Sequence, residues 1–177
     1  MEAVTASPRW DAQYEALYRE HWKRVVRLCR LLLGDEQEAQ DVAQQVFLQL
    51  VRMGGARSER EMVWGAWLTR VAVNACRDRQ RAGWWRRWRT QHEPIGDVEL
   101  VDHAPTPEAA AVSVEERARL WQALRELPRR QREVFVLRHL DGGSTQEVAA
   151  VLGVSAGSVK RHLFRAIERL RAALGGR

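Results

Sequence analysis

The chain has little cysteine and no long apolar run. Two of its 177 residues are cysteines, and Cys29 and Cys76 lack the CxxC spacing of a metal or redox site, so we expect buried free thiols. No apolar run approaches the ~18 residues that cross a bilayer, so we expect no direct membrane insertion. The N-terminal segment lacks the apolar core of a signal peptide. The sequence therefore favours a cytoplasmic protein.

The sequence also lacks a cluster of catalytic or metal-binding side chains. Its five histidines are scattered along the chain, and no group of carboxylates has the spacing of metal ligands. A nuclease or another enzyme acting on DNA is therefore disfavoured. We expect no enzyme activity, no cofactor, no metal and no small-molecule substrate.

Positive charge is in excess. Lysine and arginine number 29 against 23 acidic residues, which gives a formal net charge of +6. Such an excess suggests a polyanionic partner, either nucleic acid or an anionic membrane surface, although many basic proteins have neither.

Helical periodicity runs through the whole sequence, and no segment reads as a convincing strand. Apolar residues recur at spacings of three and four, which is typical of amphipathic helices. The sequence predicts an all-α fold of two small helical domains, residues 1–90 and 113–177, joined by a flexible acidic linker at 91–112. In the first domain, helices are predicted at about 11–33, from Asp35 to Met53, and from about 61 to 81 or beyond. In the second, helices start near Ser113, Pro128 and Ser144, and the last spans about 156–174.

Apolar stripes predict the inward face of each helix. The first helix presents Tyr14, Leu17, Tyr18, Trp22, Val25, Cys29 and Leu32. The second presents Ala39, Val42, Ala43, Val46, Phe47 and Leu50. The third presents Trp64, Trp67, Leu68, Val71 and Ala75. The fourth, after the linker, presents Ala118, Trp121 and Leu124.

The linker is acidic and rich in proline. Residues 93–108 contain five acids, three prolines and no lysine or arginine. This composition suits an extended segment without a core of its own. Two interpretations stay open, a passive tether and an acidic mimic of nucleic acid inside a basic channel.

Residues 144–170, STQEVAAVLGVSAGSVKRHLFRAIERL, have the pattern of a helix-turn-helix. Ser144 and Glu147 have capping-box spacing, Gly153 permits a tight turn, and a longer basic helix follows. Helical hairpins sometimes imitate this pattern. The predicted shared core consists of Val148, Leu152 and Val159.

Winding the last helix at about 100° per residue separates two faces. One face is apolar: Val159, Leu163, Ala166, Ile167, Leu170 and Leu174. The opposite face carries Arg161, Phe164, Arg165 and Glu168, with Lys160 on its flank. A thymine methyl or a base edge would accept the aromatic ring, and the arginines would reach guanine edges or phosphates. Ser155 and Ser158 lie in the first turn, whose amides suit a phosphate. The alternative for the arginines is a solvated face.

Two further surfaces are predicted in the first domain. Gln37, Asp41, Gln44 and Leu48 form an exposed row on the second helix, which suits either plain solvent exposure or docking onto a helix of another protein. On the third helix, Asn74 precedes six arginines that begin with Arg77, Arg79 and Arg81 and end in the stretch GWWRRWR. Arginines there would hold phosphate. Trp84 and Trp85 would either close the core or stack on bases, and the role of the whole run with Trp88 stays open.

These motifs, in this order, resemble bacterial extracytoplasmic-function sigma factors of the sigma-70 family. QEAQDVAQQVFLQL (37–50) is similar to their helix that docks on polymerase, and VWGAWLTRVAVNACRDRQR (63–81) to the segment that melts and reads the −10 element. LPRRQREVFVLRHLDGG and the helix-turn-helix after it resemble their −35-binding domain. The resemblance covers about residues 11–82 and 114–174.

The resemblance implies partners and residue roles. The partners are core RNA polymerase, through its beta-prime clamp helices and beta flap, promoter DNA, and an anti-sigma factor. Polymerase would contact Asp41, Gln44, Gln37 and Leu48, and Trp67 would support the DNA-reading loop. The −10 element would contact Asn74, Arg77, Arg79 and Arg81, and the −35 element Ser155, Ser158, Lys160, Arg161, Phe164 and Arg165. Gln45 departs from the family, which usually has an acid there, and we expect little effect.

One rival function stays open on the sequence. A conventional helix-turn-helix regulator would act without polymerase and would bind a palindromic site as a homodimer.

Overall fold

A computed structural model describes residues 8–53, 62–89 and 114–175, with side chains described in 10–53, 62–82 and 118–175. Every regular element within these ranges is helical, which confirms the all-α prediction. None of the described helices is long and apolar enough to cross a membrane. The predicted linker 91–112, the cap at Ser113 and the side chains of Trp84, Trp85 and Trp88 lie outside the described residues.

The chain divides into two compact units, Met1–His92 and Glu93–Arg177. The N-terminal unit contains α1 (Pro8–Leu33), α2 (Glu36–Met53) and α3 (Trp64–Arg89), each packed on the other two. The C-terminal unit contains α4 (Val114–Glu126), α5 (Arg129–Phe135), a π-helical turn (Val136–Leu140), α6 (Thr145–Leu152) and α7 (Ala156–Leu174).

A glycine and an aspartate form the corner between α1 and α2. Gly34 adopts a φ of 79°, a left-handed conformation that glycine tolerates without Cβ strain. Its N–H donates to the carbonyl of Arg30 at 2.8 Å, which ends α1. Asp35 Oδ1 then accepts from the N–H of Glu38 at 2.7 Å and so caps α2. Local sequence is therefore sufficient to position this corner.

The core of the N-terminal unit agrees with the predicted stripe throughout α2 but in α3 only at Leu68. All six residues predicted for α2 are buried. In α3 the fully buried residues are Leu68, Thr69, Ala72, Val73 and Cys76, while Trp64, Trp67, Val71 and Ala75 are only half-buried. The buried face of α3 is thus rotated about the helix axis relative to the predicted face. Small side chains, which permit close approach, face α1 and α2, and the bulky tryptophans lie at the margin.

Both cysteines are buried free thiols, as predicted. Trp10, near the start of α1, is 3% exposed and packs on Trp64 with ring centroids 5.8 Å apart. Trp64 in turn meets Trp67 edge-on at 6.3 Å. The half-buried tryptophans of α3 therefore join α1 to α3 at the edge of the core.

The C-terminal unit is built around α7, which packs on α4, α5 and α6. Leu124 is buried as predicted, but Ala118 is exposed and Trp121 only half-buried. The first turns of α4 therefore contribute less to the core than their periodicity indicated. Between α5 and α6, the N–H of Asp141 donates to the carbonyl of Val136 at 2.9 Å, five residues back, in the π-helical turn.

Capping interactions define the helix-turn-helix. Ser144 Oγ accepts from the N–H of Glu147 at 3.2 Å, and the Glu147 carboxylate accepts from the N–H of Ser144 at 2.7 Å. These reciprocal bonds are the predicted capping box. Gly153 ends α6 with a φ of 66°. The shared core of Val148, Leu152 and Val159 is buried as predicted.

Candidate functional site

The exposed face of α7 carries an aromatic ring among cations. Phe164 is 66% exposed, while Lys160, Arg161 and Arg165 are also exposed around it. On the opposite face Val159, Ala166 and Leu170 are buried and fix the rotation of the helix about its axis. An exposed phenylalanine ring is unfavourable in water, and the cations around it attract negative charge. This face therefore fits a ligand that is anionic and partly apolar, such as the DNA major groove with its phosphates and thymine methyl groups.

The start of α7 supplies backbone donors. Ser155 Oγ accepts from the N–H of Ser158 at 3.1 Å, so the hydroxyl caps the helix. Ser155 is exposed and Ser158 half-buried. The six residues predicted at −35 therefore all lie on α7 or its cap. The remaining N-terminal amides and the positive end of the helix dipole favour a phosphate there.

His162 lies under this face and is surrounded by charges. Burial is the main cause that lowers its pKa below 6.5, and Arg161, Arg165 and Arg130 lower it further, while Glu133 opposes them. Its Nδ1 is buried without a hydrogen-bond partner among the described residues. Protonation would place another cation beside three arginines, so the fold favours the neutral ring.

We expect the stability of the C-terminal unit to fall in mild acid because of His162. Its pKa is lowered on folding, so its contribution is present above pH 6.5 and is lost as the pH falls through the folded pKa. The melting temperature between pH 7.5 and pH 5 should therefore decline less in His162→Gln than in the wild type. His139→Gln is the control, because His139 is exposed. A wild-type decline unchanged in His162→Gln would contradict this assignment.

A groove lies between α1 and α2 in the N-terminal unit. It has a volume of about 460 Å³, and its lining is Tyr14, Tyr18, Trp22, Gln37, Gln40, Asp41, Gln44, Phe47 and Leu48. We call it the aromatic groove. Its polar side contains the row predicted on α2, and Leu48 is 47% exposed at its edge. All four residues of that row line the groove.

The rings of the aromatic groove pack on one another. Tyr18 stacks on Trp22 with centroids 4.9 Å apart and meets Phe47 edge-on at 5.0 Å. Tyr14 follows at 6.1 Å from Tyr18, and burial raises the pKa of its phenol, with a smaller contribution from Tyr18. The prediction that Tyr14, Tyr18 and Trp22 belong to the core was wrong in part. Tyr18 is 38% exposed and the other two are half-buried, so they form a wall open to a partner.

The basic residues of α3 do not all share one face. Asn74 and Arg81 are exposed, and Arg77 Nη1 donates to Asn74 Oδ1 at 3.3 Å. Helical winding puts these three residues, with exposed Arg70, within about 60° of one another. We call them the Asn74 row. Arg70 was missed in the sequence because it precedes the arginine cluster, although its spacing of four from Asn74 was visible.

Arg79 lies about 140° around α3 from Asn74, and both side chains line a second groove of about 450 Å³ between α2 and α3. The lining of this groove is Gln45, Gln49, Val71, Asn74, Ala75, Asp78, Arg79 and Ala82. Gln45, where the sequence departs from the pattern of the family it resembles, therefore faces this groove and not the aromatic groove. A carboxylate at residue 45 would face the side chains of α3.

Among the described residues, no three histidine, cysteine or acidic side chains are grouped to hold a metal ion. Three surfaces of the described residues stand out by their composition. One is an amide- and ring-lined groove, and two are basic helix faces.

Comparison with known families identifies both halves of the chain. Residues 17–86 match Sigma-70 region 2, and residues 117–170 match Sigma-70 region 4. The chain is 33% identical over 165 residues to the RNA polymerase sigma-E factor of Streptomyces coelicolor, covering 93% of this chain and 88% of that protein. It is 34% identical over 163 residues to the ECF RNA polymerase sigma factor SigM of Mycobacterium tuberculosis, covering 92% and 77%.

Two solved structures share the fold. The sigma factor RpoE of Bartonella quintana, solved in complex with the anti-sigma factor NepR, aligns with a TM-score of 0.76 at 19% identity and covers 93% of this chain and 98% of its own. CnrH, solved in complex with the cytosolic domain of CnrY, aligns with a TM-score of 0.66 at 26% identity, covering 93% and 89%.

Proposed function

The chain belongs to the extracytoplasmic-function (ECF) sigma factors of the sigma-70 family. From that premise we propose which of its two halves contacts polymerase and which promoter element each half binds. As such a factor it directs core RNA polymerase to promoters and starts transcription there. This assignment of roles is supported by one observation: each matched region contains a surface suited to its proposed role. Asp41 and Asn74 lie in region 2, and Phe164 lies in region 4.

Residues 1–90 would dock on polymerase and open the −10 element, and residues 113–177 would bind the −35 element. The segment 91–112 would connect them as a linker. The two matched regions fall within these proposed limits. Their boundaries are open to test by limited proteolysis of the free chain.

Polymerase docking would use the aromatic groove. Gln37, Asp41, Gln44 and Leu48 present two amides, a carboxylate and an aliphatic side chain along its α2 side. Such a combination suits an amphipathic helix. The rings would pack against the apolar face of that helix, and the polar row would accept hydrogen bonds from its donors. The beta-prime clamp helices are the proposed occupant, with the beta flap contacting region 4.

Promoter recognition would rest on two weak DNA contacts. The Asn74 row would hold the opened −10 strand, and Ser155, Ser158, Lys160, Arg161, Phe164 and Arg165 would bind −35 DNA. Polymerase would fix the separation of the two units, so that binding of one raises the effective concentration of the other. Strand opening costs a few kcal/mol per unstacked base, and captured bases would offset part of that cost.

Asn74→Ala should spare polymerase binding and slow strand opening. The exposed amide is placed to hydrogen-bond an unpaired base, and one such contact is worth about 1–3 kcal/mol. We expect open complexes to form roughly tenfold more slowly, measured by permanganate footprinting or by a fluorescent base in the −10 element. Gln122→Ala is the control, since it removes an exposed amide of α4, in the other unit. Opening at the normal rate would refute this role.

Three further properties follow from the proposal. The chemistry of RNA synthesis would belong to polymerase, and this chain would contribute recognition without catalysis. It would act in the cytoplasm, where bacterial polymerase works. An anti-sigma factor would hold it inactive. The relative CnrH, solved bound to a domain of CnrY, supports a protein partner of this general kind.

In-vitro transcription with core polymerase on a library of random promoters tests the proposal. We expect transcripts only when chain and core are combined, from templates that share two short motifs at one fixed spacing. The rival regulator predicts a homodimer that binds a palindromic operator without polymerase. A purified chain that fails to associate with core polymerase and yet binds such an operator tightly would overturn the proposal.

A further inference from the structure

Arg79 stands out among the basic residues of α3 by its position. It follows Asn74 by five residues, which places it about 140° around the helix from that side chain. Its side chain is only 22% exposed, whereas Arg81 of the Asn74 row is 68% exposed. Although Arg79 and Asn74 both line the second groove, winding places Arg79 on the opposite side of α3 from Arg70, Arg77 and Arg81, so it is poorly placed to share a DNA strand with those arginines.

The partner of Arg79 is the carboxylate at the edge of the aromatic groove. Arg79 Nη2 lies 4.0 Å from Asp41 Oδ2. The other oxygen, Oδ1, accepts from Gln37 Nε2 at 3.5 Å. Arg79 of α3 thus forms an ion pair with one oxygen of the carboxylate, and Gln37 of α2 donates to the other. Asp41 stays 46% exposed between them, and the aromatic groove opens beside it.

We infer that Arg79 is a positioning residue for protein docking and not a DNA contact. It holds the Asp41 carboxylate in one orientation at the edge of the aromatic groove, where a donor on the docked helix meets it. The inference rests on the proposed function, because it needs polymerase in that groove. It means that α3 supports the polymerase-docking surface and that Arg79 is not one of the −10 contacts, although the sequence predicted it there.

The physical effect is chiefly one of orientation. An exposed ion pair at this distance contributes little by Coulomb attraction. A carboxylate free to rotate, however, must lose that freedom when a partner binds, and a carboxylate already held by Arg79 and Gln37 has lost part of it beforehand. Docking of the helix therefore costs less conformational entropy at the Asp41 carboxylate.

Affinity for core polymerase, measured by anisotropy of a labelled full-length chain, tests the inference. Arg79→Ala should weaken binding about threefold, in the range of exposed ion pairs, and Arg79→Lys should restore most of the loss. Asp41→Asn should weaken binding more. The double variant Asp41→Asn with Arg79→Ala should bind no worse than Asp41→Asn alone, because Arg79 acts through Asp41. Circular dichroism checks that each variant folds.

Arg81→Ala is the matched comparison, as it removes the same charge from the Asn74 row. It should keep polymerase affinity and weaken the binding of assembled holoenzyme to a −10 fork-junction DNA. Arg79→Ala, at saturating polymerase, should bind that DNA as the wild type does. Normal polymerase affinity in Arg79→Ala together with lost fork binding would overturn this inference alone, as would additive losses in the double variant. Failure of the wild type to bind polymerase would instead overturn the proposed function, and this inference with it.

Discussion

Phe47→Ala is expected to cause the largest loss of stability of any single truncation discussed for this chain. Phe47 is 2% exposed and is among the largest fully buried side chains. Its ring lies 5.0 Å from that of Tyr18 and 5.6 Å from that of Trp22. Truncating a buried phenylalanine typically costs about 3–5 kcal/mol in free energy of unfolding. A loss of that size would consume much of the stability of a small domain.

The measurement is denaturant unfolding followed by tryptophan fluorescence, to which Trp22 gives a reporter beside the mutated site. Leu48→Ala is the neighbouring control, since Leu48 is 47% exposed and its truncation should change the free energy of unfolding by less than about 0.5 kcal/mol. Equal losses in the two variants would contradict the burial that the structure gives Phe47.

Phe47→Ala should also weaken polymerase binding, in excess of the effect of Leu48→Ala. The Phe47 ring belongs to the core and also lines the aromatic groove, because it packs against Tyr18 and Trp22 where they line that groove. Polymerase affinity measured well below the unfolding transition separates the two effects. If affinity there equals that of the wild type, the rings of α1 play no part in docking.

The double variant Arg161→Ala with Arg165→Ala is expected to show the largest loss of DNA binding. Both arginines are exposed on the α7 face that carries Phe164, one helical turn apart. At about 1–3 kcal/mol for each direct contact, holoenzyme should bind a −35-dependent promoter roughly a hundredfold more weakly. The slope of log affinity against log salt should become shallower by about 2, since two cations no longer displace counterions.

Arg169→Ala with Arg171→Ala is the control of equal charge on the same helix. Arg171 pairs with Glu168 at 3.4 Å and lies in the last turn of α7, far from the capped end. This variant should keep most of the affinity. Equal losses in the two double variants would mean that region 4 attracts DNA by net charge alone, and the orientation proposed for α7 would then be wrong.

The features that the sequence predicted well depend on interactions within one helix or one turn. The core face of α2 was predicted completely, because a one-sided apolar stripe with a 3.6-residue period defines that face without reference to neighbours. The capping box at Ser144, the glycine turn at Gly153 and the exposed side of α7 were likewise predicted. Their hydrogen bonds and dihedral angles join residues at most four or five positions apart.

The features that the sequence could not determine depend on distances between helices. The aromatic residues of α1 have core periodicity, but they line the open groove between α1 and α2. The fourfold spacing from Arg70 to Asn74 was visible, and winding turns Arg79 away from Arg70, yet only the packing of α3 on α2 brings Arg79 to Asp41.

The amino-acid sequence by itself determined the all-α class, the helix-turn-helix, the core face of α2 and the exposed face of α7. Only the tertiary structure decided which faces meet: that Asp41 of α2 lies 4.0 Å from Arg79 of α3, and that Tyr18 and Phe47 form one wall. The physical reason is that periodicity defines directions about the axis of a single helix. The contacts between helices depend on how closely their side chains allow the axes to approach, and that is a property of all the packed residues together.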